Sequence, residues 1–270
     1  MSVQTILTNQ DIETYHKEGL VIPDYRLPQD TLLLLREAVD RIIADHPNLR
    51  PESLSGPHNP YGQSASLMGN TDFLEFCQHS HILTMVEQLI GPDIILWGSQ
   101  LFAKPPGEGK AVPWHQDGAY WPIEPLATVT VRVAIDGSDR DNGCMQYIPG
   151  SHKAKRLERH EADAREDTAL GQAMPQIDER QAKDCILAPG QVSLHDVYTV
   201  HGSAHNRSTK RRADYAIRYM PATSHYDRSA THPATVYARK NSPNMNYPMR
   251  PIWLVHGEDR MGNDFTVGKP

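Results

Sequence analysis

The sequence predicts an α+β fold in which helices come first and a jelly-roll barrel of short strands follows. Three observations carry this expectation. Apolar residues recur at helical spacing as far as residue 92, short β-rich runs separated by turn residues begin at Asp93, and no repeat or linker divides the chain. At 270 residues the chain is long enough to bury a sizeable core. We therefore expect one domain over 1–270. Residues 1–92 form mainly helical support, 93–221 the jelly-roll core with a charged insert at 153–183, and 222–270 a C-terminal loop and final strand.

The helical half reads clearly. Thr8 can cap a first helix, with Asp11 three residues on and Gly19 as a stop. Leu20-Val21-Ile22-Pro23 is a short strand. A second helix runs from Leu27 to His46, with Pro28 in its first turn and Leu32, Leu35, Val39, Ile42 and Ile43 as its apolar stripe. Residues 47–70 are polar and turn-rich and read as a long loop. A third helix spans Thr71 to Ile90 and stops at Gly91-Pro92; on it His79 and His81, two apart, point to different faces.

The strand half begins with Ile94–Trp97 and Gln100–Ala103 as separate strands. The stretch Val112-Pro113-Trp114-His115-Gln116-Asp117 follows. Thr128–Ile135 alternates β-branched residues as a half-buried strand does. Cys144–Ile148, Ile186-Leu187, Gln191–Val200 and Asp214–Met220 complete the pattern, with the charged 153–183 segment as a solvated loop or loose helix.

Composition narrows the function. The net charge of −6 weighs against nucleic acid as the main partner. No apolar run approaches the ~18 residues of a membrane span, and Met1–Thr5 carries no signal-peptide pattern. Cys77, Cys144 and Cys185 are scattered, with no CxxC, so we expect three reduced thiols in a cytoplasmic protein.

The chemistry centres on His115 and Asp117. In an extended strand, residues i and i+2 share a face, so both side chains project together as two ligands of one metal must. Trp114, Tyr120 and Trp121 around them suit a pocket that excludes water. A lone His-x-Asp also arises as an ordinary strand histidine and turn carboxylate. The segment His201–Arg212 raises the metal reading, because a strand runs into His201 and a basic cluster follows. Two histidines and one carboxylate on one face of a metal leave its other face open, as in non-haem Fe(II) oxygenases. A cation from Arg207, Lys210, Arg211 and Arg212 could pair with the far carboxylate of an oxoacid, the others being a solvated turn. His195 and His201, six apart, would share a face on one regular strand, with His195 as a packing or supporting group. The Pro149-Gly150-Ser151-His152 turn reads as structural.

These motifs together resemble the phytanoyl-CoA dioxygenase family of Fe(II)/2-oxoglutarate oxygenases. His115-Gln116-Asp117, Gly143-Cys144, Ile148–His152 and His201-Gly202-Ser203-x-x-Asn206-x-Ser208-x-x-x-Arg212 carry the likeness, which runs from the Thr8 helix to Trp253–Asp259. The resemblance implies a double-stranded β-helix, the cupin-like jelly roll, with the N-terminal helices packed outside. It makes His115, Asp117 and His201 the iron ligands and Arg212 the partner of 2-oxoglutarate, with Ser203, Gln100 and Lys104 as further co-substrate contacts. It places Trp121, Tyr120 and Arg132 at the substrate pocket. Related halogenases replace the carboxylate with a small residue, and this chain keeps Asp117, which favours oxygenation.

The expected function is oxidation of an unactivated C–H bond of a small molecule, most simply hydroxylation in secondary metabolism, with O2 and 2-oxoglutarate as co-substrates and succinate and CO2 as products. Desaturation, epoxidation, cyclisation or endoperoxide formation would use the same residues. A non-catalytic metal-binding jelly roll is the alternative from another class. Substrate identity and oligomeric state are not written in the sequence.

Overall fold

The computed structural model describes residues 5–62, 67–241 and 245–270, so parts of the expected 47–70 and 222–250 loops lie outside the described residues. Helix α1 (Asn9–Glu18) begins at Thr8, whose side chain and that of Asp11 close a reciprocal capping box. Gly19 ends it at φ 84. A Cβ there would come within 2.5 Å of His152 and Thr199, so glycine is needed for space as well as for backbone. Helix α2 (Gln29–Asp45) buries Leu32, Leu35, Ala38, Val39 and Ile42.

The expected third helix is two. Helix α3 (Thr71–Phe76) stops, and α4 (Ser80–Ile90) restarts after His79, whose ψ of 124 leaves the helical region. The reason lies far along the chain. The Tyr219 hydroxyl donates to the Cys77 carbonyl at 2.7 Å, and the Tyr215 hydroxyl contacts the Cys77 thiol at 3.1 Å. A partner for that buried carbonyl stabilises the break. The break also brings the His79 and His81 rings together, 5.4 Å apart, where one continuous helix would separate them.

In chain order the strands are β1 (Leu20–Val21), β2 (Leu54–Ser55), β3 (Ile94–Lys104), β4 (Val112–His115), β5 (Ile123–Glu124), β6 (Val129–Ala134), β7 (Met145–Tyr147), β8 (Glu161–Ala162), β9 (Gln172–Ala173), β10 (Lys183–Cys185), β11 (Val192–Asp196), β12 (His201–Ser203), β13 (Arg212–Pro221), β14 (His225–Tyr226) and β15 (Trp253–His256). The large sheet has the order β1-β11-β6-β13-β3-β15, with β2 also on β3. The small sheet has the order β10-β7-β12-β4. The chain passes back and forth between them, from β3 to β4, β6 to β7, and β11 to β12 to β13. This is the jelly roll expected, a double-stranded β-helix. The helices pack outside the large sheet, where Phe73, Ile82, Met85 and Val86 join Val129, Val131, Tyr215 and Tyr219 in one core.

Several local expectations change. Strand β6 is buried on both faces, not half-buried, because α4 covers one side and the barrel interior the other. Strand β3 is continuous through Gly98. Arg218 pairs with Gly98 and Tyr219 with Leu96, so Trp97 is an extra residue accommodated as a bulge. The 191–200 strand ends at Asp196. There the chain turns, with the Thr199 hydroxyl donating to the Gly19 carbonyl, and crosses into the other sheet. The 153–183 insert forms the β8–β9 hairpin and docks on β4, with the Met174 N–H on the Trp114 carbonyl at 2.8 Å. Beyond 222 lies helix α5 (Pro233–Asn241), set against the turn that follows His115.

Replacing Tyr219 by Phe leaves the buried Cys77 carbonyl without its donor. The expected outcome is a loss of about 1–3 kcal/mol of stability, read from the midpoint of chemical denaturation.

Candidate functional site

Three strand ends build the site. His115 closes β4, and Gln116 continues the extended backbone at φ −113, ψ 129 before the Asp117–Tyr120 turn begins. The two side chains therefore converge as strand geometry requires, with His115 Nε2 3.7 Å from Asp117 Oδ1. On the neighbouring strand β12, His201 stands directly across from His115, and their ring centroids are 4.2 Å apart. One ligand atom from each of His115, Asp117 and His201 lies within 4.8 Å of the others, and all three residues are buried.

Hydrogen bonds fix which atoms are available. His115 Nδ1 lies 2.8 Å from the Pro113 carbonyl and His201 Nδ1 2.9 Å from the Thr199 carbonyl. A carbonyl only accepts, so each Nδ1 carries the proton and each Nε2 lone pair is left for a metal. Burial and the neighbouring His115 hold His201 well below the usual histidine range, so it stays neutral. Asp117 is pinned through Oδ2, which accepts from Thr130 Oγ1 at 3.3 Å and His195 Nε2 at 3.4 Å. Burial alone would raise its carboxyl, but its neighbours, among them the His195 N–H and the charge of Arg218, outweigh that and keep it well below the usual carboxylate range. Oδ1 remains free. Two neutral imidazole nitrogens and one carboxylate oxygen on one side are the donor set of a mononuclear Fe(II) site.

The triad borders a half-open pocket of about 410 Å³, a volume that includes the solvent space at its mouth. Its other end holds Arg212 and Ser203. Asp214 is ion-paired with both Arg212 and Arg132, and all three side chains are buried. Among the described residues, Arg212 Nε and Arg132 Nε have no partner. Lys104 donates to Ser203 Oγ at 2.7 Å and to the Ala204 carbonyl, leaving the serine O–H free to donate into the pocket. Burial and the adjacent Arg212 push the Lys104 ammonium down to about 6. Two guanidinium groups share one carboxylate here, with donors unspent. The arrangement fits the distal carboxylate of an oxoacid.

Other predicted residues fall elsewhere. Gln100 lies at the opposite end, accepting from Arg218 Nη2 at 3.3 Å. Lys104 stands behind Ser203 and outside the pocket wall. Trp121 is packed on Trp97 at 4.5 Å and covers the Arg218 guanidinium, so it backs the pocket instead of lining it. Trp114 points outward and donates to Glu179 of the insert, as alternation on β4 requires. The Tyr120 side chain lies outside the described residues. Arg132 does line the pocket. Of the basic cluster, Arg211 is ion-paired with Asp40 and Asp136 on the outside. His195 lies on β11 and faces His201 across the barrel, 4.8 Å between rings.

Sequence reasoning missed Arg218. It is buried on β13, lines the pocket and lies 4.0 Å from Asp117 Oδ1. The signal was present: residues 212, 214, 216 and 218 share one face of a strand, and three of the four are charged.

The chain resembles known proteins over most of its length. A family model described as phytanoyl-CoA dioxygenase (PhyH) matches residues 15–213. A probable alpha-ketoglutarate-dependent hypophosphite dioxygenase of Stutzerimonas stutzeri is 33% identical over 147 residues, covering 52% of this chain and 50% of the relative. The human peroxisomal phytanoyl-CoA dioxygenase is 24% identical over 241 residues, covering 82% of this chain and 70% of that protein. Several of these matches, the first included, span only about half the relative's length. Among solved structures, the non-heme monooxygenase ThoJ in its apo form superposes with a TM-score of 0.69 at 25% identity, covering 92% of this chain and 84% of that one. Among the described residues no helix is long and apolar enough to cross a membrane.

The chain should bind one divalent ion, measured by anaerobic titration with Co(II). His201→Ala should abolish saturable binding. His195→Ala, which removes a donor to Asp117, should retain the stoichiometry and weaken affinity by roughly 10–100-fold.

Proposed function

Because this chain belongs to the phytanoyl-CoA dioxygenase family, we propose that it is an Fe(II)/2-oxoglutarate-dependent dioxygenase that hydroxylates a C–H bond of a small molecule. The observation that carries the reading is the pairing of two features in one pocket. At one place, two imidazole nitrogens and a carboxylate oxygen lie within 4.8 Å of one another with their other ring nitrogens tied to carbonyls. At another, Arg212 and Ser203 present unspent donors. Bound Fe(II) would supply the oxygen chemistry, one oxygen atom entering the C–H bond while 2-oxoglutarate is consumed to succinate and CO2.

The chain's own residues would do the rest. His115, Asp117 and His201 would hold the metal from one side. Arg212 and Ser203 would fix the distal carboxylate of 2-oxoglutarate, and Asp214 with Arg132 would keep Arg212 from turning away. Phe102, Val112 and Met145 form apolar wall between the polar groups and limit water. The relatives' names point to quite different substrates, hypophosphite and phytanoyl-CoA. They therefore support the cofactor chemistry and leave the substrate open. Free, buried thiols support a cytoplasmic setting.

Succinate should form from 2-oxoglutarate under aerobic conditions with Fe(II), and His115→Ala should abolish it. Unchanged turnover in that variant would refute the iron assignment. Arg212→Gln should raise the 2-oxoglutarate requirement by roughly tenfold to a hundredfold while metal affinity stays within about twofold; an unaltered requirement would move the anchor to another cation.

A further inference from the structure

We infer that Arg218, backed by Arg250, is the docking point for an anionic group on the substrate, a carboxylate or a similar oxyanion; this deepens the oxygenase reading and rests on it.

Arg218 is only 8% exposed, yet it lines the pocket. Its hydrogen bond to Gln100 is long, at 3.3 Å, and its Nε has no partner among the described residues. The nearest carboxylate, Asp117, is 4.0 Å away, beyond hydrogen-bond reach. Trp121 lies against the guanidinium, 5.2 Å from ring centroid to Cζ, and fixes its plane. Arg250, 5% exposed, lies close by. It rests on Tyr247 and Trp97 at 4.9 and 5.6 Å and touches the Met245 sulfur, and its Nε too has no partner among the described residues. Among the described residues no carboxylate is ion-paired with it.

The backbone makes room for these two heads. Gly98 pairs with Arg218 across the sheet. A Cβ on Gly98 would press on Arg250 Nη1 at 3.2 Å and meet Arg218 Cδ in ordinary contact at 3.9 Å, so the glycine leaves room chiefly for the Arg250 head beside Arg218.

The charges do not balance without a further anion. The pocket wall carries Arg132, Arg212 and Arg218 against the single carboxylate of Asp117. Asp214 offsets one arginine at the Arg212 end, and Arg250 adds another at the Arg218 end. A divalent metal and doubly charged 2-oxoglutarate cancel each other. Two positive charges are then left over in a buried region, and an unpaired buried charge is strongly unfavourable. Arg212 and Arg218 stand six residues apart on one face of β13, about 20 Å along the strand, so an oxoacid anchored at Arg212 leaves Arg218 to a second ligand. A guanidinium presents paired donors that match an oxyanion.

The test uses the full chain loaded anaerobically with Co(II) and 2-oxoglutarate. Propionate and benzoate are titrated against propionamide and benzamide, with binding read by calorimetry. The expected result is saturable binding of at least one carboxylate, about tenfold or more tighter than its amide. Arg218→Gln should erase that preference and change 2-oxoglutarate affinity by less than about twofold. Arg218→Lys, which keeps the charge, should retain part of the preference and guards against a simple folding defect, with thermal melting of both variants as the check. Wild-type protein that binds neither carboxylate better than its amide overturns the inference. So does an Arg218→Gln protein that keeps the preference, or one that loses 2-oxoglutarate in place of it. Failure of wild-type protein to bind 2-oxoglutarate at all is a different result, and it overturns the oxygenase reading beneath.

Discussion

Strand β13 is buried along all ten of its residues, and its two faces have opposite character. Ala213, Tyr215, Ile217 and Tyr219 point into the core under the helices. Arg212, Asp214, Ala216 and Arg218 face the barrel interior; Arg212, Ala216 and Arg218 line the pocket, and Asp214 is ion-paired with Arg212 behind them. A strand that is charged on one side cannot be buried on both unless something inside answers the charge. The pocket, its ion pairs and its unspent donors all follow from that constraint. The apolar face contributes in turn, since the tyrosines that anchor it also break the third helix at Cys77.

The metal triad depends on ordinary secondary structure. Extended backbone through Gln116 sets His115 and Asp117 side by side, and antiparallel pairing puts His201 opposite His115. Each imidazole is then oriented by a carbonyl two residues before it on its own chain segment, Pro113 or Thr199. No long-range contact is needed to select the tautomers, so the donor set is as rigid as the two strands that carry it.

How much of this was legible in the sequence follows from the range of the forces involved. The helix caps at Thr8 and Gly19 are local and could be read directly; the strand at 128–135 could be read too, but not its burial on both faces, which depends on what packs against it. His115 and Asp117 could be paired because strand periodicity is also local; His201 was reached through the segment that follows it, and Arg212 was singled out from the basic cluster only by the family resemblance. The break at Cys77 was not legible, because its cause lies 142 residues away in Tyr219. The outward turn of Trp114 and the placement of Trp121 behind Arg218 depend on which side of each strand faces the interior. Spacing gives the alternation but not its sign. Arg218 was overlooked for a different reason: the face it shares with Arg212 was readable, but a lone arginine in a strand resembles a surface residue until burial is known.

Gln116 lies between two triad residues, and its side chain serves a different purpose. Its amide donates to the carbonyls of Arg156 and Tyr198, and its carbonyl accepts the Glu158 N–H. Its backbone N–H reaches His160. The charged insert is therefore bolted to the same residue that spaces the metal ligands. In evolutionary terms, the segment best placed to diversify is not independent of the part that must be kept. An exchanged insert that did not offer Gln116 the same backbone groups would leave a buried amide unsatisfied between the metal ligands. Diversification of the rim is thus coupled to conservation of the centre through one glutamine.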